Sequence, residues 1–500
     1  MRDNKLTAGD DHSKSSWEQD YDHTSPGTHH FHNEINELYV HEDADRHLGS
    51  LLTDLGEKNL YDAAAQCNRC GYCETSCPTY MLTGRETISA RGRNQFVRML
   101  VEGRAGSASE AEESLSTCLL CGACTSVCYA KVATPDIVLE GRRALTGYGE
   151  GFFARAAVVG LLNAPGIFSF WLKLAYLVKK TGLPRLAARM GLYEFIGMPG
   201  LAEAEHAVNN TPLRFAAEIL RKDKELDPHG KKQVNWAYFA PCGPNYIFTE
   251  TALATVRVLK KSSGEGVFID NHCCGLLAHN YGRLEDAREF ARRNITRYEE
   301  LKAEHGEFPV IADCSSCAAF MKSYEQLFSG DAGGPQDAAS LTQPAGGRTW
   351  RQRAKEFAAA VKDILEFIPP EKAGHAAAAA LEKAGRVTYH DSCRACHGQG
   401  IRVEPREVLR KLAGKNYREL PESDWCCGGA GAFAFTQPEL SGKILERKIR
   451  NIASVQAETV VVGATSCLAQ INSGLRAAYP SARAVHYSVF LDEMTREAGH

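Results

Sequence analysis

The stretch CNRCGYCETSCP, from Cys67 to Pro78, sets Cys67, Cys70, Cys73 and Cys77 at the spacing C-x2-C-x2-C-x3-C and follows them with a proline. Three thiolates so spaced wrap one face of an iron–sulfur cube, while the fourth is carried by the next helical turn to a neighbouring cluster. CLLCGACTSVC repeats the spacing at Cys118, Cys121, Cys124 and Cys128. The two runs predict a pair of [4Fe-4S] clusters, one held by Cys67, Cys70, Cys73 and Cys128, the other by Cys118, Cys121, Cys124 and Cys77. Gly71 and Gly122 occupy the same place in each run, where the backbone must curl close to inorganic sulfide and present N–H groups to it. Zinc closes with four ligands arranged as two C-x2-C elements, a poor match to two such runs. Tyr129 stands where a second proline would cap the loop, which weakens the cap without removing a ligand.

Ten of the 18 cysteines lie outside these runs and form a second repeat. Cys242, Cys273-Cys274 before Gly275, and Cys314 recur as Cys393, Cys426-Cys427 before Gly428, and Cys467. Adjacent cysteines point differently from one backbone position, so a polynuclear cluster suits them better than a mononuclear tetrahedral site. The first half adds Cys317, where this alignment puts Gln470 in the second, and so has a set of five. The second half adds Cys396, where the first has Asn245, and its role as ligand or spare thiol stays open. GAGAFA at Gly429–Ala434 loosely matches a dinucleotide fingerprint, but its place directly after a cysteine pair suits close backbone approach to a cluster. His272 and Trp425, each just before a cysteine pair, are placed to tune a cluster or, for Trp425, to pack.

Six β-branched runs recur through this part of the chain, and most of them end at a cysteine: QVNWAYFAP, GVFIDNH, FPVIADC, GRVTYHDSC, TVVVGATSC and ARAVHYSVF. Alternating with helical stretches, they predict βαβ units with parallel strands, whose C-terminal ends are where such sheets place their sites. The fold class expected is α+β and multidomain: a helical bis-[4Fe-4S] ferredoxin-like domain, then two duplicated α/β cysteine-rich CCG domains with parallel strands. The division expected is a disordered polar tail at 1–50, the double-cluster domain at 51–148 and a helical connector at 149–228. The first CCG domain follows at 229–330, a linker and helix at 331–385, and the second CCG domain at 386–500. Within the linker segment RQRAKEFAAAVKDILEFI reads as one helix.

The chain of 500 residues, 44% hydrophobic and 24% charged, is long enough for several cores. A net charge of -3 supplies no field that would draw in nucleic acid. Clustered cysteines at metal-ligand spacing fit a reducing cytoplasm, and the N-terminus has no apolar signal core. His29, His30 and His32 fall in the polar tail and read as solvated. The apolar stretch Ala157–Val178 contains Asn163, Pro165 and Lys173. It reads as two amphipathic helices meeting at Pro165, which pack in a core, on a partner or at a membrane surface.

CNRCGYCETSCPTY with the following RGR at Arg91–Arg93, the second run, HDSC, and CCGGAGAFAFTQPELSGKILERKIRNI together resemble the iron–sulfur subunit of glycolate oxidase, over roughly residues 60–495. The resemblance extends to the iron–sulfur subunits of lactate-utilisation, anaerobic glycerol-3-phosphate dehydrogenase and heterodisulfide reductase complexes. It implies an oxidoreductase subunit in a hetero-oligomer, with a separate FAD-containing subunit oxidising a 2-hydroxy acid such as glycolate or lactate. The iron–sulfur subunit then passes electrons towards a quinone or other acceptor, at the inner face of the membrane. It also implies no flavin in this chain and one further cluster in the CCG half beyond the two [4Fe-4S] clusters. Cys317 and Cys396 look closer to the heterodisulfide reductase pattern, which implies the alternative of thiol–disulfide chemistry at Cys242, Cys273, Cys274, Cys314 and Cys317. No residue is assigned as catalytic.

Overall fold

A computed structural model describes residues 51–496 apart from 54–55, 105–107, 145–159, 161, 196–204, 206–210, 230, 232, 330–346 and 432. The polar tail, with His29, His30 and His32, most of the Gly/Pro-rich linker, and residues 157–159 and 161 of the apolar stretch lie outside these residues. A short antiparallel hairpin, β1 (Leu51–Thr53) and β2 (Gly56–Lys58), opens the described chain.

Helices then surround the first eight cysteines. Ser89 caps the helix Ala90–Val101 by accepting from Gly92 N–H, as short hydroxyl side chains do at helix starts. That helix packs its Val97 and Leu100 against Leu60, Ala63, Leu115 and Ile137 of neighbouring helices. Each cysteine run is a loop closed by a short helical turn, Glu74–Ser76 in the first and Ala123–Val127 in the second. Pro78 is the first residue of the helix Pro78–Thr83, with Cys77 as its cap, whereas the fully exposed Tyr129 after Cys128 starts no helix. The expected break at Pro165 is real: it begins the helix Pro165–Lys180.

Two parallel sheets follow. The first has the order β4-β3-β5-β6, from β3 (Ala237–Phe239), β4 (Val267–Phe268), β5 (Val310–Ala312) and β6 (Val361–Asp363). The second has the order β7-β8-β9, from β7 (Val387–His390), β8 (Thr459–Val462) and β9 (Arg483–His486). All six strand-forming runs contain a strand. The single helix expected over RQRAKEFAAAVKDILEFI is instead a helix Trp350–Ala360, the strand β6 and a short helix Ile364–Phe367. The helical period hides the break, and only pairing with β5 reveals it: Val310 lies beside Val361 and Ala312 beside Asp363.

The two halves share their cores. Phe239, Val267 and Phe290 of the first sheet's side are buried in one cluster with Val460, Ile471 and Leu475 of the second. Trp236 and Tyr238 are buried with Tyr389, Val461 and Tyr487 in another. Ser315 donates through both N–H and hydroxyl to Gly463 O, at 3.0 and 2.9 Å. A Cβ on Gly243 would fall 2.3 Å from Thr465 Oγ1, so only glycine admits this approach of the two halves.

Candidate metal centres

The two ferredoxin-type loops fold alike. Arg69 and Gly71 have φ of 57° and 79°, and Leu120 and Gly122 have φ of 52° and 79°. The left-handed turns direct amides inwards, and Leu120 N–H donates to Cys118 Sγ at 3.4 Å. One cavity is lined by Cys77, Cys118, Cys121 and Cys124 together with Arg93. Cys77 thus joins the second run across the bundle. In the other group Cys67, Cys77 and Cys128 all act on Cys73, whose thiol is pushed up to about 11 by burial and then by Cys67. Cys124 is likewise pushed up to about 12 by burial and by Cys118. Thiols so crowded cannot ionise together without a cation among them, which is the condition a cluster supplies.

Arg93 offers a second test of fit. The residue is 2% exposed, and its guanidinium donates to Ser114 O, Thr79 Oγ1 and Thr117 Oγ1 at 2.8–3.2 Å and to Cys77 Sγ at 3.9 Å. These partners are neutral until a thiol is a thiolate. A buried cation without an anionic partner is costly, and the negative charge of a thiolate-held cluster beside Cys77 removes that cost.

In the first cysteine-rich half, Cys242 follows β3, Cys273 and Cys274 follow β4, and Cys314 and Cys317 begin the helix after β5. Cys274 Sγ lies 3.3 Å from Cys317 Sγ, and Gly275 N–H reaches Cys273 Sγ at 3.5 Å. Hydrogen bonds from Cys273 and Cys317 hold Cys274 down to about 6, while Cys317, sharing protons with Cys274 and Cys314, is driven well up. Five thiols therefore form one proton-sharing set. A cavity of about 170 Å3 opens beside Cys242 and Cys273, lined also by Arg221, Asn245, Tyr246 and His272.

The second half is assembled the same way with one change of register. Cys427 Sγ lies 3.2 Å from Cys467 Sγ, the contact that Cys274 makes with Cys317. The helices Ser315–Lys322 and Thr465–Ala478 are capped by Cys314 and Ala464. Cys467 is therefore the counterpart of Cys317, not of Cys314, and Ala464 replaces Cys314. The alignment that paired Cys317 with Gln470 fails because spacing alone cannot tell which turn of the helix a cysteine occupies. Gln470 instead donates to Ser441 Oγ at 2.9 Å. Cys393 and Cys426 share a proton, as Cys242 and Cys273 do. Cys396 is 3% exposed, and its Sγ lies 3.8 Å from Cys393 O.

The glycines of GAGAFA and its neighbour serve the sulfurs: Gly428 N–H and Gly429 N–H reach Cys426 Sγ and Cys427 Sγ, each at 3.4 Å. Trp425 packs with Leu119, Cys426, Phe433 and Ile444, and its indole N–H donates to Ile444 O. Two residues beside this centre escaped the reading of the sequence. His390, at the end of β7, faces Cys427 and Cys467, with one ligand atom of each within 4.8 Å of the others. Lys448 is fully buried, donates to Glu422 O and Ser423 O, and is held down to about 8 by burial. The HDSC motif contained His390, but a strand-end histidine carries no ligand signal until the sheet brings Cys427 and Cys467 to it.

The double-cluster bundle docks on this second half. Cys121 is raised by burial and next by Cys393, and Leu119 and Cys121 pack against Trp425 and Cys426. Onward, Cys314 Sγ lies 3.6 Å from Thr465 Oγ1, on the helix that carries Cys467. The four cysteine groups thus form a continuous line. Among the described residues no helix is long and apolar enough to cross a membrane.

Residues 63–132 match the 4Fe-4S dicluster domain, and residues 236–322 and 387–472 each match the cysteine-rich CCG domain. The chain is 28% identical to the probable glycolate oxidase iron-sulfur subunit of Bacillus subtilis strain 168 over 87% of this chain and 94% of that protein. It is 24% identical to the glycolate oxidase iron-sulfur subunit of Escherichia coli K12, over 82% and 90% of the two chains. Lactate utilization protein A of Oceanobacillus iheyensis is 28% identical, matching 52% of this chain and 97% of its own length. With one dicluster domain and two CCG domains in this order, the chain is a homologue of the glycolate oxidase iron-sulfur subunits.

Proposed function

We propose that this chain is the electron-transfer subunit of a flavin-dependent 2-hydroxy-acid dehydrogenase, with glycolate or lactate as the substrate of an FAD-containing partner subunit. Cys67, Cys70, Cys73 and Cys128 hold one [4Fe-4S] cluster, and Cys118, Cys121, Cys124 and Cys77 the other. Cys242, Cys273, Cys274, Cys314 and Cys317 hold a further cluster, and Cys393, Cys426, Cys427 and Cys467 the last. In such a subunit the protein positions the clusters and tunes their potentials, while the flavin carries the hydride chemistry. The observation that carries the reading is the line of cysteine groups. It starts at Cys70, which is exposed and open to a partner, and runs through the contact of Cys121 with Cys426 to the cavity beside Cys242.

The exposed Ile167, Phe170, Trp171 and Leu174 on the helix Pro165–Lys180 support peripheral contact with the inner face of a membrane, where a quinone would accept the electrons. The double-cluster domain at 51–148 and the CCG domains at 229–330 and 386–500 serve as the units of this relay, with β6 joining the segment 331–385 to the first CCG sheet. Purified anaerobically with its flavoprotein, the chain should show reduced-cluster EPR signals when the hydroxy acid is added. Clusters that stay oxidised while the flavin is reduced would sink the reading.

A second reading is favoured by one observation, the five-thiol set with an open cavity beside Cys242 and Cys273. There the first CCG centre itself reduces a disulfide. Cys317→Ser should then abolish disulfide reduction; hydroxy-acid-dependent reduction of the dicluster that persists in this variant supports the first reading.

A further inference from the structure

The two CCG halves differ at one side of their centres, and the difference is compensated. In the first half Cys314 shares its proton with Cys317, and the strand residue three positions before Cys242 is Phe239, fully buried. In the second half Ala464 takes the place of Cys314, and the strand residue three positions before Cys393 is His390. One thiol is lost beside Cys467, and one imidazole is gained beside Cys467.

The imidazole is held as a ligand would be. His390 is 1% exposed. Its Nδ1 lies 3.2 Å from Ser423 O, and because a carbonyl can only accept, Nδ1 carries the proton. That tautomer leaves the lone pair on Nε2. Nε2 is buried with no hydrogen-bond partner other than the Cys427 sulfur it faces, and lies in the group whose ligand atoms, with Cys427 and Cys467, are within 4.8 Å of one another. A buried polar atom left without a partner costs about 1–3 kcal/mol. Metal-ligating histidines characteristically donate the other ring N–H to a carbonyl or carboxylate.

We propose that the second CCG centre is an iron–sulfur cluster of mixed thiolate and imidazole ligation, in which Nε2 of His390 joins Cys393, Cys426, Cys427 and Cys467 and fills the place that Cys314 fills in the first. The inference rests on the function proposed above, since it requires that those four cysteines hold iron. A neutral imidazole in place of an anionic thiolate raises a cluster's reduction potential, as the two histidines of Rieske centres do. The two CCG centres, alike in fold, then differ in potential, and the centre next to the dicluster domain is the more oxidising.

The test uses the full chain, purified anaerobically and reduced, with histidine labelled by 14N or 15N, and reads nitrogen couplings by pulsed EPR. The expected result is a strong histidine-nitrogen coupling that changes with the isotope. It disappears in His390→Cys, which keeps its iron and shows one cluster of lower midpoint potential. Iron that depends on Cys427 without any strong histidine coupling would overturn the ligation alone and leave the parent reading standing. Iron content unchanged by Cys427→Ser would overturn the parent reading of this centre. Zinc bound at His390, detected by X-ray absorption, would overturn the iron–sulfur assignment. If the variant does not fold, the labelled native chain still decides the ligation.

Discussion

The hydroxyl of Ser126, in the second ferredoxin-type loop, lies 2.8 Å from Nδ1 of His397, just beyond Cys393 and Cys396. Arg402 also approaches this nitrogen, at 3.3 Å. A guanidinium only donates, so Nδ1 is the acceptor of both and the ring is neutral. Burial, then Arg402, hold its pKa below the usual histidine range. The bond ties the dicluster bundle to the second CCG half at the point where Cys121 meets Cys393.

Replacing His397 with phenylalanine leaves two donors facing an apolar ring. The expected cost is about 1–2 kcal/mol, paired with several-fold slower electron transfer between the dicluster and the CCG centres and no loss of iron. Rapid-mixing spectroscopy after dithionite reduction measures the rate. An unchanged rate would show that this contact does not govern the alignment of the two parts.

Arg93 places a buried positive charge beside Cys77. Because the charge favours the more negative, reduced form of a cluster, Arg93→Gln should lower the potential of the cluster proposed at Cys77. Treated as a Coulomb interaction at an effective dielectric near 20, the shift is on the order of 100 mV. A redox titration followed by EPR checks it, and a shift upwards would contradict the argument.

The pH dependence of stability carries the mark of Asp363. Burial holds this carboxyl up at about 6, against about 3.9 for the unfolded chain. Between these values the native protein keeps a proton that the unfolded chain releases, so stability falls as pH rises through 6. The loss is about 1 kcal/mol from pH 5 to pH 7. Asp363→Asn keeps an acceptor for Leu365 N–H, which Asp363 Oδ1 now receives at 3.1 Å, and should remove this part of the slope. Denaturant unfolding of the iron-loaded protein at the two pH values makes the comparison.

Cys396 and Cys467 should respond oppositely to loss of their thiols. Cys396 is pushed up by burial and stays a thiol, and its sulfur makes its contact with a backbone carbonyl. Cys396→Ala is expected to cost about 1 kcal/mol for the small void and to retain all iron. Cys467→Ala removes the sulfur 3.2 Å from Cys427 and should lower the iron content. Iron lost from the first variant would make Cys396 a ligand.

The ferredoxin-type runs, the duplicated cysteine pairs and six of the seven strands of the parallel sheets were legible in the sequence, because each is a local pattern: ligand spacing, an adjacent pair, a β-branched run. β6 was not, since Val361–Asp363 lies inside a helical period and becomes a strand through its pairing with β5. The equivalence of Cys467 with Cys317 was not, since it depends on which helical turn faces Cys427. His390 and Lys448 were not, since a histidine at a strand end and a lysine within a helix acquire their surroundings only when β7, β8 and the helix Pro438–Ser454 pack together. The sequence by itself determined which cysteines could bind metal. Tertiary structure decided which of them meet, and in what order the groups stand, because those contacts join segments as far apart as Ser126 and His397.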